Sequence, residues 1–107
     1  MNSFSTLSLH DRAMVNFLPD VILSAHTERF DGQIAVEFDY IRNGEDHRRS
    51  LTATQIGNDC FDVRVENLNF DENGDSQVFH SVEFITTGTW VNEWSDRVHE
   101  LARKHNV

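Results

Sequence analysis

The chain contains six histidines and one cysteine, side chains that often bind metals or take part in catalysis. No pair of the histidines has zinc-ligand spacing together with a second pair that would complete a site. Cys60 stands near Asp59 and Asp62, whereas a nucleophilic cysteine needs an electropositive surround. We therefore predict no metal, no cofactor and no catalytic residue, and we expect Cys60 to pack as a small apolar residue at the start of a strand.

Residues 71–75 read Asp-Glu-Asn-Gly-Asp and place oxygen ligands at alternate positions, as the start of a calcium-binding loop does. The glycine stands fourth, where a calcium loop needs it sixth, and Val82 occupies the twelfth position instead of glutamate. The segment therefore favours a polar hairpin tip over a calcium site.

His47 is the histidine whose surroundings could form a site. In the strand register derived below, it lies on the apolar face of the sheet opposite Tyr40, and Arg49 follows on the same face. The interpretation that we favour is that both polar side chains reach solvent past Tyr40 at the open end of the core. The alternative is a small-molecule-binding or catalytic domain, with Tyr40, His47, Arg49 and Trp90 around a pocket between a curved sheet and the C-terminal helix. A cavity there would support the alternative, and a packed core would exclude it.

Acidic side chains outnumber basic ones by 18 to 9, so the formal net charge is −9. Such a charge repels nucleic acid and accelerates encounter with a basic partner. It is also typical of proteins that are acidic only for solubility. We expect many of the carboxylates to share the polar face of the sheet and the loops at its ends. The predicted partner-binding residues are Glu28, Glu37, Asp39, Asp62, Glu66, Glu83, Asp71, Glu72 and Asp75.

These features favour a non-enzymatic acidic binding protein over an enzyme. The expected function is to neutralise or escort a basic protein partner, in the manner of small immunity proteins, anti-defence inhibitors and secretion chaperones. The expectation rests on an analogy of size, charge and missing catalytic motif. Neither a glycine-rich phosphate loop nor a Gly-x-Ser-x-Gly elbow occurs in the sequence. Nucleic acid and membranes are not expected partners.

Four turn signals predict the elements that position these side chains. They separate segments in which apolar and polar residues alternate: Asp31-Gly32, Asn43-Gly44, Gly57-Asn58-Asp59 and Asn73-Gly74. Such pairs favour tight β-hairpins because asparagine, aspartate and glycine tolerate positive φ. The signals predict one antiparallel meander of five strands, over residues 21–29, 33–41, 47–55, 60–70 and 77–86.

Treated as two-residue loops, the first two turns predict a strand register. It pairs Tyr40 with His47, Phe38 with Arg49, Val36 with Leu51, Ile34 with Ala53, Ala25 with Phe38, Thr27 with Val36 and Leu23 with Tyr40. The apolar members of these pairs then share one face of the sheet. Asp39 lies opposite Arg48 on the other face, which predicts a cross-strand ion pair.

The last hairpin is less regular. With Asn73-Gly74 as its turn, it pairs Val63 with Phe84, Val65 with Val82, Leu68 with Phe79 and Phe70 with Gln77. The apolar alternation changes parity near residues 66–67 and 80–81. We expect a bulge or a sharp twist there. The alternative is an exposed apolar hairpin tip, formed by Leu68, Phe70 and Phe79, that contacts a partner.

Two helices flank the strands. A short helix is predicted over residues 9–18, with Ser8 as its cap, Asp11 at the capping-box position and Pro19 at its end. Its apolar stripe consists of Ala13, Met14, Phe17 and Leu18. The last helix is expected to be capped by Thr89 and to bury Trp90 and Trp94.

Both helices are assigned to the face that carries Leu23, Val36 and Phe38, because that face is the apolar surface left to cover. The predicted fold is therefore a two-layer α+β domain: N-terminal helix, five-stranded antiparallel meander, C-terminal helix.

The length fits a single domain over residues 1–107, with 1–7 as a flexible tail. The first residues lack the basic and apolar regions of a secretory signal, and no segment approaches the roughly 18 apolar residues that span a membrane. One cysteine permits no intramolecular disulfide. We therefore expect a cytoplasmic protein.

Overall fold

The computed structural model describes residues 7–105 and shows an antiparallel sheet with one helix before it and one after it. The elements are α1 (Leu9–Asn16), β1 (Val21–Phe30), β2 (Gln33–Arg42), β3 (Glu45–Gly57), β4 (Cys60–Phe70), β5 (Ser76–Thr86) and α2 (Gly88–His105). The five strands lie side by side in chain order, which confirms the predicted α+β architecture. The predicted tail falls mainly on residues 1–6, outside the described range, whereas Leu7 is half-buried against the core.

The β2–β3 hairpin has the register that its turn predicts. Asn43 and Gly44 both have positive φ, 53° and 77°, as a type I′ turn requires. Tyr40 faces His47, as predicted. Because side chains alternate between the faces of a strand, this register places both His47 and Arg49 on the face that carries the core.

β1 departs from the predicted register at one point. Its pairing with β2 follows the prediction from Ala25 onward, but a bulge lies between Ile22 and Ser24. Ile22, and not Leu23, therefore faces Tyr40 and is fully buried. The prediction for Leu23 was wrong because a bulge adds one residue to a strand and moves the residues before it to the opposite face.

The β4–β5 hairpin contains the bulge that its apolar pattern predicts, between Asn67 and Leu68. The pairs before the bulge are as predicted, and those beyond it are one residue out of step. Leu68 faces Val78 instead of Phe79, and Phe70 faces Ser76 instead of Gln77. The predicted two-residue turn is replaced by a longer loop over residues 71–75. Phe79 is the extra residue of β5, left without a partner on β4.

α2 covers the apolar face of the sheet and buries Trp94 at its centre. The helix begins at Gly88, and its cap is Thr87 instead of the predicted Thr89, because the Thr87 hydroxyl accepts a hydrogen bond from the N–H of Trp90 at 3.2 Å. The N–H of Gly88 donates to a carboxylate oxygen of Asp59 at 3.0 Å. A Cβ on Gly88 would lie 2.9 Å from that oxygen, so a larger residue there would displace the Asp59 side chain and its hydrogen bond.

α1 lies on the same face of the sheet as α2, as predicted. The indole N–H of Trp94 donates to the backbone carbonyl of Val15 at 2.8 Å and joins the two helices. Ser8 caps α1, since its hydroxyl accepts a hydrogen bond from the N–H of Asp11 at 3.1 Å.

The apolar stripe of α1 differs from the predicted one. The helix ends at Asn16, and its buried residues are Met14 and Val15. Phe17 lies beyond the helix in extended backbone and is 74% exposed. The chain turns out of the helix before Phe17 can join the stripe, and this exposed ring stands beside the open end of the core.

Candidate functional site

A cleft of about 820 Å³ opens between α1 and the end of the sheet where β2 turns into β3 and β5 begins. Its lining includes three of the four residues of the pocket considered from the sequence, Tyr40, His47 and Arg49. Further lining residues come from α1 and the segment after it, from β4 and from β5: His10, Met14, Phe17, Asp20, Asn67, Asn69, Phe79 and His80. The end of the core is thus an open cleft and not a closed packing surface.

Arg49 forms the floor of the cleft and is only 4% exposed. Its Nε donates to the side-chain oxygen of Asn67 at 2.7 Å, and Nη1 donates to the backbone carbonyl of Phe17 at 3.3 Å. The guanidinium carbon lies 5.6 Å from the ring centre of Phe38 and 5.3 Å from that of Tyr40. Within the described residues, no carboxylate forms an ion pair with Arg49.

The electrostatics of Arg49 follow from this environment. Burial lowers the pKa of its guanidinium, and Arg42 acts in the same direction, while Tyr40 raises it. Arginine nevertheless stays protonated in proteins. The floor of the cleft therefore carries a buried positive charge whose nearest polar partners are neutral.

Tyr40 and His47 form one wall of the cleft. Their rings are stacked, with centres 5.3 Å apart and planes at 29°. Nδ1 of His47 donates to the side-chain oxygen of Asn69 at 2.6 Å, and the Tyr40 hydroxyl donates to that of Asn67 at 3.5 Å. Asparagines that project from β4 thus hold both rings in place. Phe79 extends the wall, with its ring centre 6.2 Å from that of His47.

α1 provides the facing wall and is attached to β5 by polar contacts. Nε2 of His80 donates to a carboxylate oxygen of Asp11 at 3.0 Å, and the rings of His80 and His10 meet edge to face at 4.8 Å. The pKa of Asp11 lies below its ordinary value of 3.8, chiefly because of its hydrogen bond with Ser8. Burial acts to raise the pKa, and the hydrogen bond and charge of His80 lower it further. α1 is therefore held over the cleft by the hydrogen bond between Asp11 and His80 as well as by apolar packing.

Trp90 does not line the cleft, so the predicted set of four was wrong in this member. Its ring packs edge to face on Phe84 at 5.2 Å and lies 6.4 Å from that of Trp94. The cause is topological, because Trp90 follows the end of β5, whereas the cleft lies where β5 begins. His80 and Thr86 are six residues apart on that strand, or roughly 20 Å at about 3.3 Å per residue.

The predicted partner-binding carboxylates on strands project from the side of the sheet opposite the helices, which we call the outer face: Glu28, Glu37, Asp39, Asp62, Glu66 and Glu83. The predicted pair forms, with Arg48 Nε 2.7 Å from an oxygen of Asp39 and 3.5 Å from one of Glu37. Nη2 of Arg64 lies 3.8 Å from Oε2 of Glu83, and Nε2 of His26 lies 3.1 Å from Oε1 of Glu28. Asp62 and Glu66 form no ion pair within the described residues.

A shallower groove of about 300 Å³ runs along the outer face. It is lined by Thr52, Thr54, Asp62, Arg64, Glu66 and Glu83. Asp62 and Glu66 thus lie in one groove, and Arg64 is the single cationic residue of its lining.

The acidic loop between β4 and β5 is exposed throughout, and its carboxylates serve different purposes. Glu72 and Asp75 point to solvent. Asp71 accepts hydrogen bonds from the N–H groups of Asn73 and Asp75, both at 2.9 Å, so its side chain shapes the turn. The main role of Asp71 is therefore to stabilise the loop, although its exposed carboxylate also adds to the surface charge.

Sequence reasoning missed Asn67, His80, Phe17 and Phe79 as cleft residues. Asn67 and His80 pair across β4 and β5, and they lie at the parity changes of the apolar pattern. A polar residue on the core face at such a point is the signal that could have indicated them. The sequence contains no signal for the exposed Phe17, because its position depends on where α1 ends.

Within residues 7–105, no helix is long and apolar enough to cross a membrane. In the same range, no group of three or more histidine, cysteine, aspartate or glutamate side chains could hold a metal ion. Comparison with protein-family models, with curated proteins and with solved structures finds no match to this chain.

Proposed function

We propose that this chain is a non-enzymatic binding domain for a small anionic ligand, held in the cleft between α1 and the sheet with its anionic group against Arg49. The observation that carries the proposal is the burial of Arg49 without an acidic partner among the described residues. This is the alternative pocket of the sequence analysis, with the residues of α1, Asn67 and Phe79 in place of Trp90.

The argument begins with the cost of the buried charge. An ionised side chain removed from water loses its hydration, and neutral hydrogen bonds and aromatic faces compensate only in part. Buried charges in proteins are therefore paired or bind a ligand of opposite charge. The Asn67 side chain and the backbone carbonyl of Phe17 orient the Arg49 guanidinium, but neither carries a negative charge. An anionic ligand would supply that charge.

The cleft is of a suitable kind for such a ligand. Ligand pockets are typically about 300–1,000 Å³, mostly apolar, with a few polar groups that fix orientation. Here the apolar lining comes from Met14, Tyr40 and Phe79, and Arg49 and His47 are the polar groups at the floor and wall. His47 and Arg49 come from the same strand of a sheet, which is a rigid support for a binding site.

Thermal unfolding with a panel of small anions tests the proposal. A ligand that binds only the folded state raises the unfolding midpoint, and at about 100 times its dissociation constant it adds roughly 2.7 kcal/mol. We expect acetate, benzoate or phosphate to raise the midpoint of the wild type and not that of Arg49→Met. Arg97→Met, which removes an exposed arginine from α2, is the matched control and should respond as the wild type does. Equal responses of the wild type and Arg49→Met would reject the proposal.

A second candidate is the expected association with a basic protein partner on the outer face. The observation that favours it is the groove that contains Asp62 and Glu66, whose carboxylates have no ion pair within the described residues. Arg48 and Arg64 neutralise part of the remaining charge, so a basic partner would meet mainly these two carboxylates. A cytoplasmic location likewise stays a prediction, since it rests on the lone cysteine.

A further inference from the structure

The floor, the walls and the charges of the cleft restrict the chemistry of the ligand beyond its being an anion. The guanidinium of Arg49 is planar and presents its N–H groups as a fork, a geometry that matches the two oxygens of a carboxylate or of a phosphate. Nε and Nη1 already donate to oxygens of Asn67 and Phe17. The remaining N–H groups are available to a single small acidic group, so the floor accommodates one such group and not several.

The charges that line the cleft favour a ligand with one negative charge. Arg42 and Arg49 are the cationic residues of the lining other than histidine, and Asp20 and Glu45 oppose them. The chain as a whole carries a formal charge of −9, so a polyanion would be repelled on approach. A polyphosphate or a nucleic acid is therefore disfavoured, whereas a ligand with a single negative charge meets the least electrostatic repulsion.

The walls favour an aromatic body. The ring series formed by Tyr40, His47 and Phe79 continues from the floor to the mouth of the cleft. Phe79 is 53% exposed and Phe17 is 74% exposed, and both rings line the mouth. A flat aromatic ligand would bury these exposed rings by packing against them in an offset-stacked or edge-to-face geometry. Phe79 reaches this position because it is the extra residue at the β5 bulge, and bulges often redirect a side chain toward a binding site.

Resting on the proposed function, we infer that the ligand is an aromatic monocarboxylate of one or two rings. Its carboxylate pairs with Arg49, and its ring lies between Phe79 and Phe17. The cleft, at about 820 Å³, has ample room for one or two rings, and its aromatic wall favours a ring over an aliphatic chain.

The test is a calorimetric titration with matched probes. We choose 1-naphthoate, its neutral analogue 1-naphthamide, cyclohexanecarboxylate, acetate and inorganic phosphate. We expect 1-naphthoate to bind at least ten-fold more tightly than cyclohexanecarboxylate, acetate or phosphate, and at least ten-fold more tightly than 1-naphthamide. Phe79→Ala should weaken 1-naphthoate by five-fold or more and leave acetate unchanged. Ile56→Ala, which truncates a similarly exposed apolar side chain outside the cleft lining, should change neither.

The outcomes separate the two claims. If acetate or phosphate binds as tightly as 1-naphthoate in an Arg49-dependent manner, the aromatic class is wrong and the anion-binding function stands. If 1-naphthamide binds as tightly as 1-naphthoate, the cleft recognises the ring alone and the role of Arg49 is wrong. If none of the probes binds, both claims fail.

Discussion

Arg49 and Asn67 lie directly opposite each other on β3 and β4, and Nε of the arginine donates to the amide oxygen of the asparagine at 2.7 Å. The pairing orients the guanidinium without neutralising it. The position opposite a buried arginine is the place where a carboxylate would complete an ion pair within the protein, and the chain has its neutral isostere there. This one difference leaves the positive charge to be neutralised from outside.

Asn67→Asp should therefore close the site without removing Arg49. The new carboxylate would lie within hydrogen-bond distance of Nε and supply the missing charge, so we expect the protein to fold and its response to added benzoate to fall ten-fold or more. Asn92→Asp is the matched control. Asn92 lies on α2, away from the cleft, and its side-chain oxygen also accepts hydrogen bonds from an arginine, Arg29 of β1, at 3.3 Å. The measurement is the benzoate dissociation constant of the three proteins, and unchanged affinity in Asn67→Asp would contradict the account.

Arg49→Met should raise the stability of the ligand-free protein. Replacement of a buried ion pair by apolar side chains of similar volume is often neutral or stabilising by about 1–4 kcal/mol, and Arg49 has the desolvation cost without the attraction of a partner. Asn67 keeps a donor in the Tyr40 hydroxyl. We expect the free energy of unfolding, measured with urea, to rise by about 1 kcal/mol. A decrease of more than about 1 kcal/mol would mean that Arg49 is retained for packing.

The N-terminal turn of α1 and its contact with β5 should both weaken in acid, because Ser8 and then His80 stabilise the ionised form of Asp11. The pKa of Asp11 is lowered in the folded state from its ordinary value of 3.8, so its ionised form contributes stability at pH values above that ordinary value. That contribution is lost as pH falls through the lower folded pKa. We expect Asp11→Asn to be less stable than the wild type at pH 7 and equally stable near pH 2, by urea unfolding. Asp96→Asn, at an exposed position of α2, is the control; a difference for Asp11→Asn that does not change with pH would reject the role of the charge.

The fold was largely predictable because independent turn signals agreed on one apolar face. Asn43-Gly44 specified a type I′ turn, and the structure has positive φ at both residues. The register of β1 failed at Leu23 because nothing in the local sequence indicates a bulge there. In β5 the parity change did indicate a bulge. The pairs between the bulge and the turn were nevertheless mispredicted, because a five-residue loop over residues 71–75 replaces the expected two-residue turn.

The cleft was predictable only in part. Tyr40, His47 and Arg49 come from one hairpin, so the register alone brings them together. The remaining lining residues come from elements distant in sequence, and their approach depends on packing that no local pattern records. Trp90 is predicted to line a pocket between the sheet and the C-terminal helix, but the direction of β5 places it at the other end of the domain.

The outer face offers an independent prediction for the second candidate. Asp62→Lys with Glu66→Lys reverses two carboxylates that line the groove, and Glu93→Lys with Glu100→Lys makes the same charge change on exposed positions of α2. For a basic partner that docks in the groove, we expect the first pair to slow association ten-fold or more at low salt and the second to slow it less than three-fold. Stopped-flow kinetics across a salt series measure this effect, and equal slowing by both pairs would mean that only net charge matters.

The central claim, that Arg49 receives the anionic group of a ligand, is tested most directly by nuclear magnetic resonance of the arginine Nε–H groups during titration with benzoate. The Nε–H of Arg49 is buried and hydrogen-bonded to Asn67, so it should give a resolved signal that exchanges slowly with water. We predict that this signal shifts saturably with benzoate while those of the exposed Arg97 and Arg103 stay in place. A shift shared by all arginines, or a stationary Arg49 signal at saturating benzoate, would contradict the account.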